Sequence, residues 1–410
     1  MTIQPKFECR AMPGSQQGLT LVELMIALVL GSMLMIGAVQ LFSGMRSAYQ
    51  LNEGLSRVQE SGRFAVDILS QDLRMAGYMG CTSDSRNLNI GVSSDVATSD
   101  IDAFYLNFTR GVEGFAANGT GPDQQTLNIT TLYPEAAGAG NWTPSLPDGL
   151  LQGDPRQPIA GSDVLILRYM EGDGVRFVSP YTKGNQYHVT DNQDFQQGDL
   201  LFAADCQGGG YLFRRNNSSG NDGDNDNGGG GGGGKGGGGG GGGGGGSGKD
   251  NIQPGGGTAT EYRTFGPDAE MARPRMVAYF IGVNTAADAD PADRRPTLYR
   301  RTFNQSGDAV LTDELVSGIE TMQVLYGIDL GGNRSVNQYM TADEVEAADR
   351  WFAVSSVRVG LLARSESQVV PLGEQTPKDF SLLGTAVNVD IDDDRRHRQI
   401  FMTTVNLRNR

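Results

Sequence analysis

Histidine is almost missing from this chain: His188 and His397 are the two copies in 410 residues. They stand far apart, with no His-Glu-x-x-His pair and no Gly-x-Ser-x-Gly elbow. Zinc-protease and serine-hydrolase chemistries therefore have no residues to run on. Cysteine is scarce as well, at Cys9, Cys81 and Cys206, and neither histidine has ligand spacing to any of them, so a zinc site is not expected. Positive charge is in deficit: 33 Lys and Arg against 48 Asp and Glu give a formal net charge of −15. Such an acidic surface argues against a phosphate-backbone contact, and nucleic acid is not expected as a partner. The composition points to a protein that is not an enzyme and carries no metal and no cofactor.

What is present begins with a long apolar run. Leu19 to Phe42 contains a single charge, Glu23, and as a helix spans about 36 Å, enough to cross a hydrocarbon core. An ionised side chain at the centre of such a span costs about 2.5–3.5 kcal/mol, and less near its end. An anchoring helix has no use for that charge, so Glu23 reads as a functional residue that needs a positive partner. The polar stretch from Pro13 ends in Gly18, directly before the run. A secretory signal peptide has a shorter apolar core with the small residue after it; here the order is reversed. A plain signal-anchor is the bland alternative. The charges on either side (Lys6, Glu8 and Arg10; Arg46, Glu53 and Arg57) do not settle orientation by themselves.

Glycine, cut site, glutamate and apolar run in that order resemble the N-terminus of type IV pilins and of the pseudopilins of type II secretion. The resemblance implies that a prepilin peptidase cuts between Gly18 and Leu19 and methylates the new N-terminus. It also implies that Glu23 serves in assembly, with the leader cytoplasmic and the bulk of the chain beyond the inner membrane. Leu19 departs from the phenylalanine usual in major pilins. Further along, Arg74-Met-Ala-Gly-Tyr-Met-Gly-Cys81, Asp205-Cys206, Val324-Leu-Tyr-Gly-Ile-Asp329, Val357-Arg-Val-Gly-Leu-Leu-Ala-Arg-Ser365 and Thr404-Val-Asn-Leu-Arg-Asn409 resemble PilW-type minor pilins. That family implies a subunit of type IV pilus assembly, in a priming or tip complex. Its expected partners are other minor and major pilins through the N-terminal helix, the prepilin peptidase, and the inner membrane before assembly. Two alternatives stand beside it: a pilus-tip adhesin, and a J-type pseudopilin, which is usually much shorter. Cleavage after Gly18 would remove Cys9 and leave Cys81 and Cys206 in a compartment where disulfides form. A bridge between them would close a loop of about 125 residues, worth about 4–5 kcal/mol in the chain-entropy model. Two buried thiols are the alternative.

The expected fold is α+β and pilin-like. The leader is 1–18, the membrane half of a long helix 19–42, its amphipathic half 43–80, and a β-rich domain 81–410. In the amphipathic half Leu51, Leu55, Val58, Ala65, Ile68, Leu69 and Leu73 form a helical stripe, ended by Gly77 and Gly80. Gly54 and Gly62 lie within it, each costing about 1 kcal/mol against alanine. Alternating runs beyond Cys81 predict antiparallel strands with one wet face at Thr126–Leu132, Val164–Tyr169, Val175–Val178, Asp199–Ala203 and Tyr211–Arg214. Six more are expected at Glu261–Phe265, Met276–Val283, Leu298–Phe303, Thr321–Ile328, Val354–Arg364 and Gln399–Leu407. Thr341 and Glu344 form a capping-box pattern that opens a short helix to about Arg350. Between Gly208 and Gly257 lie 27 of the 60 glycines, a composition expected to form a flexible loop. It contains no Walker site, since Lys249 is followed by Asp250. The acidic runs Asp222–Asn227 and Asp390–Asp394 read as a solvated linker and a charged turn in preference to calcium loops.

Overall fold

The fold is that of a computed structural model, which describes residues 20–80, 89–96, 104–147, 150, 154–171, 174–190, 195–217, 250–255, 263–286, 290, 294–303, 310–333, 335–371, 373–374 and 376–409. One helix, α1 (Leu21–Met75), opens it, and a second, α2 (Ala342–Ala347), comes late. Among the described residues the strands are, in order, β1 (Asn89–Val92), β2 (Val112–Ala117), β3 (Leu127–Ile129), β4 (Trp142–Thr143), β5 (Arg156–Pro158), β6 (Val164–Met170) and β7 (Val175–Lys183). There follow β8 (Gln186–Val189), β9 (Leu200–Ala204), β10 (Gly209–Arg214), β11 (Asp250–Ile252), β12 (Glu270–Ala272), β13 (Pro274–Asn284) and β14 (Thr297–Phe303). The last are β15 (Val310–Ser317), β16 (Ile319–Ile328), β17 (Gln338–Met340), β18 (Val354–Arg364), β19 (Asp379–Leu382), β20 (Thr385–Val389) and β21 (Arg398–Asn406). The class is α+β: a long apolar N-terminal helix and a mostly antiparallel, multi-sheet β domain.

Contacts divide the chain into two units, Met1–Glu53 and Gly54–Arg410. In the second, α1 lays Gly54, Val58, Gly62, Ala65, Leu69 and Leu73 into the main core. The two glycines are contact points, not weak spots: a Cβ on Gly62 would collide with the Phe401 ring, and one on Gly54 with Val369. The helix gives up propensity there so that the sheet can approach its backbone. Met75 ends α1, and Gly77 and Gly80 follow at positive φ.

Two sheets meet that helix. One runs β15-β14-β13-β6-β2-β4 and the other β17-β16-β18-β21. On β6, Leu165 and Leu167 join the helix-side core while Val164 and Ile166 join a second core with Phe115, Trp142 and Phe280. Every residue of β2, β6 and β16 is buried, so these strands have no wet face. The small sheet β19-β20-β3 covers the other side of β18 and β21 through Leu362, Leu382, Val387 and Ile400. A third large sheet, β1-β10-β9-β12-β7-β8-β11, has its own aromatic core of Phe177, Tyr187, Phe213 and Phe265.

Residues 161–163 tie the first two sheets together. Asp163 accepts from Ala117 N on β2 and Val324 N on β16, each at 2.8 Å. Ser162 Oγ accepts from Met322 N, and Thr321 Oγ1 donates to Gly161 O.

Glu261–Phe265 is not a strand where it is described. Residues 263–265 are irregular: Phe265 N donates to Thr182 Oγ1, and Arg263 O accepts from Tyr187 OH, so side chains replace a ladder. The strand of this region is β12, five residues on. The glycine tract from 218 to 249, the acidic run 222–227, Cys81 and residues 1–19 lie outside the described residues.

Candidate functional site: the N-terminal helix

The opening turn of α1 holds Glu23 in a fixed arrangement. Thr20 N and Thr20 Oγ1 both donate to Glu23 Oε2, at 3.0 and 2.9 Å, and Glu23 N donates back to Thr20 Oγ1 at 3.3 Å. This is a capping box, in which two otherwise orphaned donors of the helix end are satisfied reciprocally. The same spacing at Thr341 and Glu344 predicts the box that α2 has; at Thr20-x-x-Glu23 the surrounding apolar run masks it. Gly18 and Leu19 lie just outside the described residues.

Beyond that turn the helix exposes its apolar side chains all round, from Leu21, Val22 and Leu24 to Leu41 and Phe42. It is long and apolar enough to cross a membrane. An exposed apolar surface of this extent marks a membrane or partner contact, and Glu23 is the one charge on it.

The other singled-out residues are held in structural contacts. Cys206 is disulfide-bonded. In the acidic run, Asp390 pairs with Lys378 at 3.2 Å, and Asp394 with Arg398 at 2.6 Å and Arg396 at 3.0 Å. Burial pushes the Asp394 carboxyl up, but Arg398 and Arg396 outweigh it and hold the group below its usual range. Arg398 also grips Glu320 through two bonds of 2.7 and 2.9 Å, and Arg364 reaches Glu320 at 3.1 Å. Beside this buried network a cavity of about 640 Å³ is lined by Glu374, Lys378, Asp392, Asp393 and Arg395. Among the described residues no group of three His, Cys, Asp or Glu could hold a metal. Burial lowers the pKa of His397. The sequence signal for this network was the run of arginines directly after the aspartates; its buried anchor, Glu320, lay in a separate strand and went unnoticed.

Residues 14–39 match the prokaryotic N-terminal methylation motif, the sequence that marks prepilin-like proteins. The chain is thus a prepilin-type subunit: an inner-membrane, single-pass protein with its folded domain C-terminal to the span. Residues 278–409, from within β13 to beyond β21, match the family of type IV pilus-assembly protein W. Together the two matches make it a minor pilin of the PilW type, a component of type IV pilus assembly. The matched family is a structural one. No curated protein and no solved structure matches the chain. The segments Val324–Asp329, Val357–Ser365 and Thr404–Asn409 fall inside the matched region, whereas Arg74–Cys81 and Asp205–Cys206 fall outside both matches.

Proposed function

We propose that the subunit acts in the priming or tip complex of the pilus, without enzymatic activity, and that Glu23 is its assembly residue. The supporting observation is an ionisable side chain, capped by Thr20, on the otherwise uncharged and exposed stretch of α1 up to Phe42. Cleavage between Gly18 and Leu19 leaves Thr20 as the second residue, its amide and hydroxyl still able to hold the carboxylate. In the membrane that cap lessens the cost of the charge. On assembly a neighbour's N-terminal amine takes the carboxylate as partner, so that two charges enter the helix bundle as a pair. A subunit at the very top of the filament has nothing above it to pair with, which favours a place just below. Cys206 pairs with Cys81, the cysteine that remains once the leader and Cys9 are gone. The partners are other pilins and the prepilin peptidase, and the folded domain is periplasmic before assembly.

The cap suggests a competing explanation, that Glu23 is needed only to start the helix. Glutamine at the same position also completes a capping box, so Glu23→Gln keeps the cap and loses the charge. The readout is the amount of subunit in sheared pili relative to the membrane. Glu23→Ala should be depleted strongly, because breaking a buried ion pair from one side costs about 3–5 kcal/mol, and Glu23→Gln should fall between Ala and wild type. A glutamine variant that assembles like wild type would leave the cap as the whole role. Mass spectrometry of the non-reduced mature protein should show an N-terminus at Leu19 and a linked Cys81–Cys206 peptide.

A further inference from the structure

The last strand, β21, forms one border of its sheet, next to β18. Its register with β18 runs unbroken from Ser356↔Asn406 to Arg364↔Arg398. Leu407 N bonds to Ser355 O and Ser365 N to His397 O, which places the odd-numbered residues in the hydrogen-bonded pairs. Ile400, Met402, Thr404 and Asn406 therefore aim their backbone N–H and C=O groups away from β18. Met402 is 60% exposed, and Thr404 and Asn406 are exposed as well.

Other sheet borders in the molecule are blunted, as edges need to be. β4, β3, β11 and β17 are two or three residues long, and β1 and β19 four. β15 is longer but carries Asp313 and the exposed Glu314. β21 has nine residues, no proline and one charged residue, Arg398, whose side chain is buried against Glu320 and Asp394. Among the described residues nothing on this edge opposes a further strand.

From this geometry we infer that β21 receives a strand from a neighbouring, different pilin-like subunit. This rests on the assembly reading above. Neighbours held side by side through their N-terminal helices bring their folded domains into lateral contact, and β21 packs directly on α1, with Phe401 against Gly62 and Thr403 against Ser70. A second copy fits poorly. The strand runs with the helix, Phe401 lying at Gly62 and Asn409 at Arg74 (Nδ2 to O, 3.3 Å). Antiparallel pairing of two β21 strands would set the Gly54–Met75 stretch of one α1 antiparallel to that of the other, against the side-by-side, like-directed bundling of the assembly reading.

The test is a photo-crosslinking residue in place of Met402 in the full-length protein in piliated cells, with Leu311 on β15 as the control position. The expected result is a crosslink from position 402, and not from 311, to a different chain shown by mass spectrometry to carry an N-terminal methylation motif. A crosslink to a second copy, or none to any protein, overturns the inference. Thr404→Pro removes one outward N–H and no bond to β18, and Met402→Lys adds an edge charge. Either should lower recovery in sheared pili about tenfold with the unfolding midpoint unchanged; recovery equal to wild type by a folded variant also overturns it. Should the wild-type chain keep its leader or never enter pili, the assembly reading fails instead. A cleaved, incorporated chain with a silent position 402 sinks the edge alone.

Discussion

Both carboxylate oxygens of Asp163 accept from backbone amides, one on each of two sheets. Burial raises this carboxyl to a pKa of about 7 against the pull of those two donors, with the charge of Asp343 adding to the rise. An unfolded aspartate titrates near 3.9, so between about pH 4 and 7 the folded chain holds a proton that the unfolded chain has lost. The contribution of Asp163 to stability therefore falls as pH rises through that window and is flat outside it. Asp343 and Tyr326 are titratable groups coupled to it. Asp163→Asn should abolish this pH dependence. It should also destabilise at every pH, because the new amide must turn its own N–H toward Ala117 N or Val324 N. Leaving one buried donor unmet costs about 1–3 kcal/mol. Thermal unfolding of the detergent-solubilised protein at pH 5 and pH 8 checks both statements; an Asn variant as stable as wild type would deny the clasp.

At the level of elements, α1 shows how a glycine is read differently before and after its neighbours are known. Gly62→Ala would gain about 1 kcal/mol of helix propensity in isolation. Against the Phe401 ring it should instead lose about 1–3 kcal/mol through overpacking. Removing Phe401 in that background should cost less than removing it from wild type, and a double-mutant cycle in thermal unfolding reads the difference. The same dependence on neighbours explains which strands were legible. β18 was expected at Val354–Arg364 and lies there, and β6, β13, β14, β16 and β21 are within two residues of expectation at each end. Their apolar runs are long enough to speak for themselves. β2 was missed because Glu113 and Gly114 break its pattern. Glu113 is buried because Arg168 from β6 meets it at 2.7 Å, and Gly114 because the Tyr326 hydroxyl sits where its side chain would be. Arg168 itself, wholly buried, bonds also to the carbonyls of Phe104 and Arg110. A partner from another strand cannot be read from spacing. At the N-terminus the glycine, the glutamate and the apolar run were all legible because they are adjacent in sequence.

Taken whole, the chain joins a region shared with its family to a sheet that lies outside both matched segments. The strands β7 to β12, with their aromatic core, precede the matched residues 278–409. The glycine tract interrupts this sheet between β10 and β11. The chain on its two sides is held together: Gln253 N bonds to Asn217 Oδ1 at 2.9 Å, Asn217 Nδ2 to Asn251 O at 2.7 Å, and Gly255 N to Arg214 O at 2.7 Å. Residues 218–249 can therefore be replaced by a short linker without moving either end. The shorter closure should stabilise the sheet by about 1–2 kcal/mol. Pilus incorporation should be unchanged. Attachment of piliated cells to surfaces is the deciding measurement for the adhesin reading: a loss supports it, and undiminished attachment removes it.

The closing of the fold has a timetable. Ser70 Oγ meets Thr403 Oγ1, and Arg74 O meets Asn409, across more than 330 residues of chain. Contacts so distant in sequence form last, since the whole intervening loop must first be brought round. A nascent chain therefore leaves the patch of α1 at Gly62 and Ser70 uncovered until β21 has been made, and a chain that stops short of β21 never covers it. To a protease that samples exposed apolar surface, a subunit without β21 offers that patch and one with β21 in place does not. β21 thus acts as a seal on that part of the helix.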